Sequence, residues 1–106
     1  MLGSIRRFFV RDFGPPPPPD VTQLPSFAEQ RIVETTYSES KRQRVFITLD
    51  ETGDYRVYFQ WWDTGDWQAG VGARWSYAHG SGSHTDSLER ARDIADETLR
   101  CSRHDA

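Results

Sequence analysis

Alternation of apolar and polar residues marks the centre of this chain as a β-hairpin. The run over residues 44–50 places Val45, Ile47 and Leu49 on one side, with Phe46 and Thr48 on the other. A second run over residues 55–62 alternates in the same way. Between them stands Asp-Glu-Thr-Gly-Asp, a composition typical of a tight turn. The pattern therefore predicts two antiparallel strands whose side chains divide cleanly between two faces.

Two further strands are predicted to flank this hairpin. Residues 31–38 are rich in β-branched side chains, which favours a strand. Residues 67–77 follow a second Asp/Gly turn, and their alternation places Trp67 and Trp75 on the same side as Trp61. Residues 78–85 are rich in glycine, serine and histidine and are predicted to form a loop.

The C-terminal part of the chain has the periodicity of an amphipathic helix. Asp86 and Glu89 have the spacing of a capping box, and the apolar stripe that follows comprises Leu88, Ala91, Ile94, Ala95, Thr98 and Leu99. The predicted fold is therefore α+β: a four-stranded antiparallel meander sheet packed by a C-terminal α-helix.

The first 27 residues are predicted to form an arm in front of a single domain over residues 28–106. The arm would comprise a short amphipathic helix, a polyproline spacer over Pro15–Pro19, and an extended linker up to Phe27. One C-terminal helix, about 10 Å wide, is too narrow to cover the helix-side face of the predicted sheet. We expect the arm helix or a second subunit to complete the cover.

Composition excludes several classes of protein. The chain has 106 residues, a formal net charge of −3 and a pI of about 5.5, which argues against a dedicated duplex-DNA-binding protein. Cys101 is the only cysteine, so an intrachain disulfide is excluded. No apolar run is long enough for a membrane span, and we expect a cytoplasmic protein.

Two groups of residues invite a chemical interpretation, and neither supports one. The acidic turns at Asp50–Asp54 and Asp63–Asp66 lie at opposite ends of a meander, so they cannot share a metal ion. His79 and His84 flank a glycine-serine stretch that could approach Asp54, but their spacing matches no nucleophile motif. We predict no enzymatic activity, no metal and no cofactor.

The sheet face opposite the helix is the candidate functional surface. Its predicted partner or nucleic-acid-binding residues are Arg44, Phe46, Arg56, Tyr58, Trp62 and Arg74. Arginine beside aromatic residues is typical of protein interfaces and of surfaces that stack single-stranded nucleic acid. A subunit interface, a cover by the arm helix and nucleic-acid binding therefore all stay open, and the negative net charge disfavours the third.

Part of the sequence resembles one known family. Residues 45–59, Val-Phe-Ile-Thr-Leu-Asp-Glu-Thr-Gly-Asp-Tyr-Arg-Val-Tyr-Phe, are similar to the first hairpin of HicB-type antitoxins. Residues 84–99, beginning His-Thr-Asp-Ser-Leu-Glu-Arg-Ala, resemble the entry of that family into its helix. The resemblance implies a partial double-stranded-RNA-binding-like β-β-β-α scaffold that binds a protein partner. The chain departs from the family in the tryptophan-rich stretch over residues 61–78 and in lacking a recognisable DNA-binding region.

These observations predict a small non-enzymatic interaction module. It would self-associate as a homodimer or bind a protein partner through the sheet face. The alternative is a single-stranded nucleic-acid-binding module that uses the arginine and aromatic residues of the same face.

Overall fold

The computed structural model describes residues 16–65 and 72–102. They form an antiparallel sheet of β1 (Gln30–Tyr37), β2 (Gln43–Asp50), β3 (Tyr55–Asp63), β4 (Arg74–Trp75) and β5 (His79–Thr85). One helix, α1 (Leu88–Cys101), follows the sheet. The predicted α+β class and its antiparallel sheet with a C-terminal helix are confirmed. The predicted N-terminal helix and the start of the proline run lie outside the described residues.

The central hairpin forms because its turn is internally hydrogen-bonded. The Asp50 carboxylate accepts hydrogen bonds from the backbone N–H groups of Thr52, at 2.9 Å, and Asp54, at 3.0 Å. Gly53 supplies the left-handed conformation, with φ of 90°. This turn sets the register that pairs Val45 with Phe59 and Ile47 with Val57. The predicted division of β2 and β3 into two faces follows from that register.

The fourth position of the sheet differs from the prediction. β4 and β5 both pair with β3, and residues 76–78, which belong to neither strand, separate them. The stretch predicted as a loop is therefore largely strand. Its pairing with β3 outweighs the low strand propensity of glycine and serine. Gly80 lies against the Tyr58 ring, where an added Cβ would stand 3.5 Å from a ring carbon.

The helix packs on one face of the sheet and begins one residue later than predicted. Ser87, rather than Asp86, is the N-cap, and its hydroxyl accepts a hydrogen bond from the Arg90 backbone N–H at 3.2 Å. The core on this side is formed by five buried residues, Val45, Ile47, Val57, Ala91 and Ala95. No helix within residues 16–65 and 72–102 is long and apolar enough to cross a membrane.

The second strand is buried on both of its faces. Six consecutive residues, Gln43 to Thr48, are buried, although the helix contacts only alternate ones. A second layer of the protein must therefore cover the opposite face of the sheet.

Candidate interaction site on the sheet face opposite the helix

Residues 16–27, hereafter the arm segment, cover the sheet face opposite the helix. This segment contains a turn in which the Gln23 backbone N–H donates to the Asp20 carbonyl at 3.3 Å. The predicted extended linker over residues 20–27 therefore contains a turn at its start. The Phe27 ring, at the end of the segment, lies 4.4 Å from the Tyr58 ring and 6.2 Å from the Phe46 ring, centroid to centroid.

Three aromatic side chains of the sheet bind backbone carbonyls of the arm segment. The Trp62 indole N–H donates to the carbonyl of Pro17 at 3.1 Å. The Trp75 indole N–H donates to the carbonyl of Asp20 at 2.8 Å. The Tyr37 hydroxyl donates to the carbonyl of Val21 at 3.3 Å. We refer to this surface as the aromatic face; it comprises Tyr37, Arg44, Phe46, Tyr58, Trp62 and Trp75.

Arg44 lies at the centre of the aromatic face and is only 1% exposed. Its guanidinium carbon stands 3.8 Å from the Trp75 ring centroid and 4.8 Å from that of Phe46. Its Nε–H donates to the side-chain carbonyl of Gln60 at 2.9 Å. The Gln60 amide nitrogen in turn donates to the Ser76 carbonyl at 2.8 Å, which ties the arginine to the segment after β4.

The arm segment carries a carboxylate that acts electrostatically on Arg44. Burial lowers the pKa of Arg44, and the hydrogen bond with Tyr37 and the charge of Asp20 act in the opposite direction. The pKa of Asp20 is lowered, first by hydrogen bonds from the Thr22 hydroxyl and backbone N–H and then by the charge of Arg44. The arm segment thus brings a carboxylate towards a buried cation.

The six predicted site residues do not share one open surface. Arg44 and Phe46 are buried under the arm segment, and Tyr58 and Trp62 are half-buried beside it. Arg56 is exposed and pairs with Asp50 at 3.5 Å. Arg74 pairs with Asp63 in the ladder and not with Trp62, so it belongs to the opposite side of the sheet. The assignment of Arg74 to this face was therefore wrong.

Trp75 takes the place predicted for Arg74. It pairs directly with Trp62 and packs edge-on against that ring at 5.3 Å, so it lies on the aromatic face rather than with Trp61. The prediction assumed one unbroken strand over residues 67–77, whereas residues 74–75 pair with β3 one residue out of that phase. A one-residue shift moves every side chain to the other face.

Sequence reasoning also missed Tyr37 and Phe27 as members of this site. The available signal was Phe27, a large aromatic side chain in a mostly polar stretch shortly before β1. Such a residue indicates a segment that is anchored by packing.

The other candidate chemistry is placed as follows. His84 Nδ1 stands 3.5 Å from the Asp54 carboxylate, and this histidine is largely exposed. His79 stacks on Trp61 at 4.8 Å between ring centroids. Within the described residues, no three histidine, cysteine or acidic side chains are grouped to hold a metal ion.

Comparison with models of protein families, with curated proteins and with solved structures finds no match to this chain. The resemblance to HicB-type antitoxins stays a prediction.

Proposed function

We propose that this protein is a non-enzymatic interaction module whose aromatic face binds a short proline-containing peptide segment. The observation that carries the proposal is the set of three side-chain donors on Tyr37, Trp62 and Trp75, which bind three backbone carbonyls within five residues of the arm segment. Aromatic grooves that recognise proline-rich peptides use this combination of ring surface and hydrogen bonds to carbonyls. The arm segment is then the occupant that the chain itself supplies.

The contacts favour recognition of the peptide backbone over most of its side chains. Val21 and Leu24 of the arm segment are 40% and 60% exposed, so the sheet holds neither side chain firmly. Phe27 is the exception, because its ring packs on Phe46 and Tyr58. A ligand therefore needs correctly spaced carbonyls, which the extended backbone of a proline-containing segment presents, and one aromatic anchor.

The nucleic-acid alternative has less support. Stacking of bases requires free ring faces beside accessible cations. Here the Tyr58 ring packs on Phe27, the Trp62 indole binds Pro17, and Arg44 is buried. A nucleic acid would have to displace the arm segment before it could reach these groups.

The proposal is tested by titrating the full chain with a synthetic peptide of residues 16–27. Binding is followed through the indole N–H resonances of Trp62 and Trp75 in proton–nitrogen correlation spectra. In the unmodified chain the tethered segment competes at an effective concentration of about a millimolar. Phe27→Ala removes the aromatic anchor from the tethered segment, so the peptide should half-saturate this variant at about a tenfold lower concentration.

Leu24→Ala is the matched control, because it also shortens an apolar side chain of the arm segment but at a position that is mostly exposed. We expect it to titrate like the unmodified chain. Adding Trp75→Phe to Phe27→Ala should weaken peptide binding, since the donor to the Asp20 carbonyl is lost. Indole resonances of the Phe27→Ala variant that do not move at about a millimolar peptide would refute the proposal.

A further inference from the structure

Two exposed residues, Ala28 and Glu29, connect the arm segment to β1. On one side of them the Phe27 ring packs on the sheet. On the other, the side-chain carbonyl of Gln30 accepts hydrogen bonds from the hydroxyls of Thr48, at 2.6 Å, and Tyr58, at 3.2 Å. The chain must therefore reverse from one anchored residue to the next within a two-residue hinge.

The hinge is strained. Glu29 has φ of 59°, a left-handed conformation that is unfavourable for a residue with a Cβ atom. Glycine would adopt it without cost, but glutamate stands there. If the arm segment leaves its own sheet, Glu29 can return to an ordinary conformation. Short hinges under such strain favour exchange of the attached segment between copies.

We infer that two copies of this chain exchange their arm segments, each placing its residues 16–27 on the aromatic face of the other. The inference rests on the proposed function, because it requires the aromatic face to be a peptide-binding site. A second copy is the partner whose fit is already known. Its Pro17, Asp20 and Val21 offer the same carbonyls, and its Phe27 the same anchor.

The equilibrium between the closed monomer and the exchanged dimer can be estimated. Both states contain the same contacts between arm segment and aromatic face, so the closed monomer is favoured only by the effective concentration of its tethered segment, which is about a millimolar for a short linker. Relief of one left-handed glutamate favours the open hinge about tenfold. An exchanged dimer opens two hinges, which brings its expected dissociation constant to about 10 μM.

The test is the mass of the full chain by size-exclusion chromatography with light scattering, from about 1 μM to about 500 μM. We expect a concentration-dependent dimer. Glu29→Gly removes the strain from the closed hinge and should raise the dissociation constant about a hundredfold, tenfold for each hinge. Glu39→Gly is the matched control: it removes the same charge from another exposed position, in the turn between β1 and β2, and should leave the dimer unchanged.

A mixing experiment then identifies which copy supplies the arm segment. One sample of the unmodified chain is isotope-labelled and the other is unlabelled, and the two are mixed in equal amounts at the top of that concentration range. Spectra filtered for contacts between labelled and unlabelled copies should show the Phe27 ring of one copy against the Tyr58 ring of the other.

The outcomes separate this inference from the proposed function. A monomer at 500 μM whose Trp62 and Trp75 indole N–H groups are protected from exchange would overturn arm exchange and leave the peptide-binding site standing. A monomer with unprotected indoles would overturn both. A dimer whose mixed-sample spectra lack the contact between copies would place the interface elsewhere and overturn arm exchange.

Discussion

Arg44 allows the sharpest test of how the aromatic face is held together. The side chain is buried against the rings of Trp75 and Phe46 and donates a hydrogen bond to Gln60 at 2.9 Å. Methionine retains most of the apolar volume, lysine retains the charge, and alanine retains neither. The three substitutions therefore separate the contributions of shape and charge.

The expected costs follow from the contacts. A desolvated cation–π contact contributes about 2 kcal/mol, and a hydrogen bond from a charged donor about 1.5–3 kcal/mol, against the penalty of burying the guanidinium. Arg44→Ala should lower the free energy of unfolding by about 3–4 kcal/mol, since it also leaves a cavity. Arg44→Met mainly leaves the Gln60 carbonyl unpaired and should cost about 1–2 kcal/mol.

Arg44→Lys should lower the free energy of unfolding by about 2–3 kcal/mol. This loss is larger than that of Arg44→Met, although lysine keeps the charge. An ammonium group is strongly hydrated, and it lacks the planar surface with which a guanidinium stacks on an aromatic ring. The measurement is urea unfolding followed by circular dichroism, with the exposed Arg42→Met as a control expected within about 0.5 kcal/mol of the unmodified chain. If Arg44→Lys is as stable as Arg44→Met or more stable, the argument from planar stacking is refuted.

Three further predictions concern other parts of the fold. The Gln43 side chain is buried, and its amide finds no hydrogen-bond partner among the described residues. Gln43→Met should therefore raise the free energy of unfolding, measured in urea, by about 1–2 kcal/mol. A lower free energy of unfolding would show that the amide is hydrogen-bonded. Ser87→Ala should lower the free energy of unfolding in urea by about 1 kcal/mol, and Asp86→Ala by only a few tenths. The reverse order would identify Asp86 as the N-cap. The pKa of Asp20 is held low by Thr22 and then by Arg44, so its stabilisation is present above about pH 4 and is lost as the pH falls through the lowered pKa. Indole N–H exchange of Trp75 should accelerate in that acid range, and Asp20→Asn should flatten the dependence; an identical acid response in that variant would exclude Asp20 as its source.

The sequence predicts those parts of the fold that local chemistry determines. The Asp50–Asp54 turn fixes the register of β2 and β3, so the alternation of residues such as Val45 and Phe46 correctly predicts which face of the sheet each side chain occupies. Beyond Asp63 the phase of the alternation depends on which residues of β4 and β5 pair with β3, and no local pattern encodes that pairing. Trp75 was for that reason placed on the wrong face.

The cover of the aromatic face could not be predicted for a different reason. Its hydrogen bonds run from side chains to backbone carbonyls, and every residue carries a carbonyl. The identities of Pro17 and Asp20 therefore do not predict that their carbonyls bind the two tryptophans. Only Phe27 has a side chain whose burial could have been anticipated, and its partners lie on two different strands.

The sequence distance of these contacts has a consequence for synthesis on the ribosome. The arm segment is made first, but the two tryptophans that bind it follow their carbonyl partners by 45 and 55 residues. At translation rates of about 5–20 residues per second, the arm waits several seconds for its site. Throughout that interval each nascent arm segment has no sheet of its own to bind, so the arm exchange that we propose would need no opening of a closed monomer at this stage.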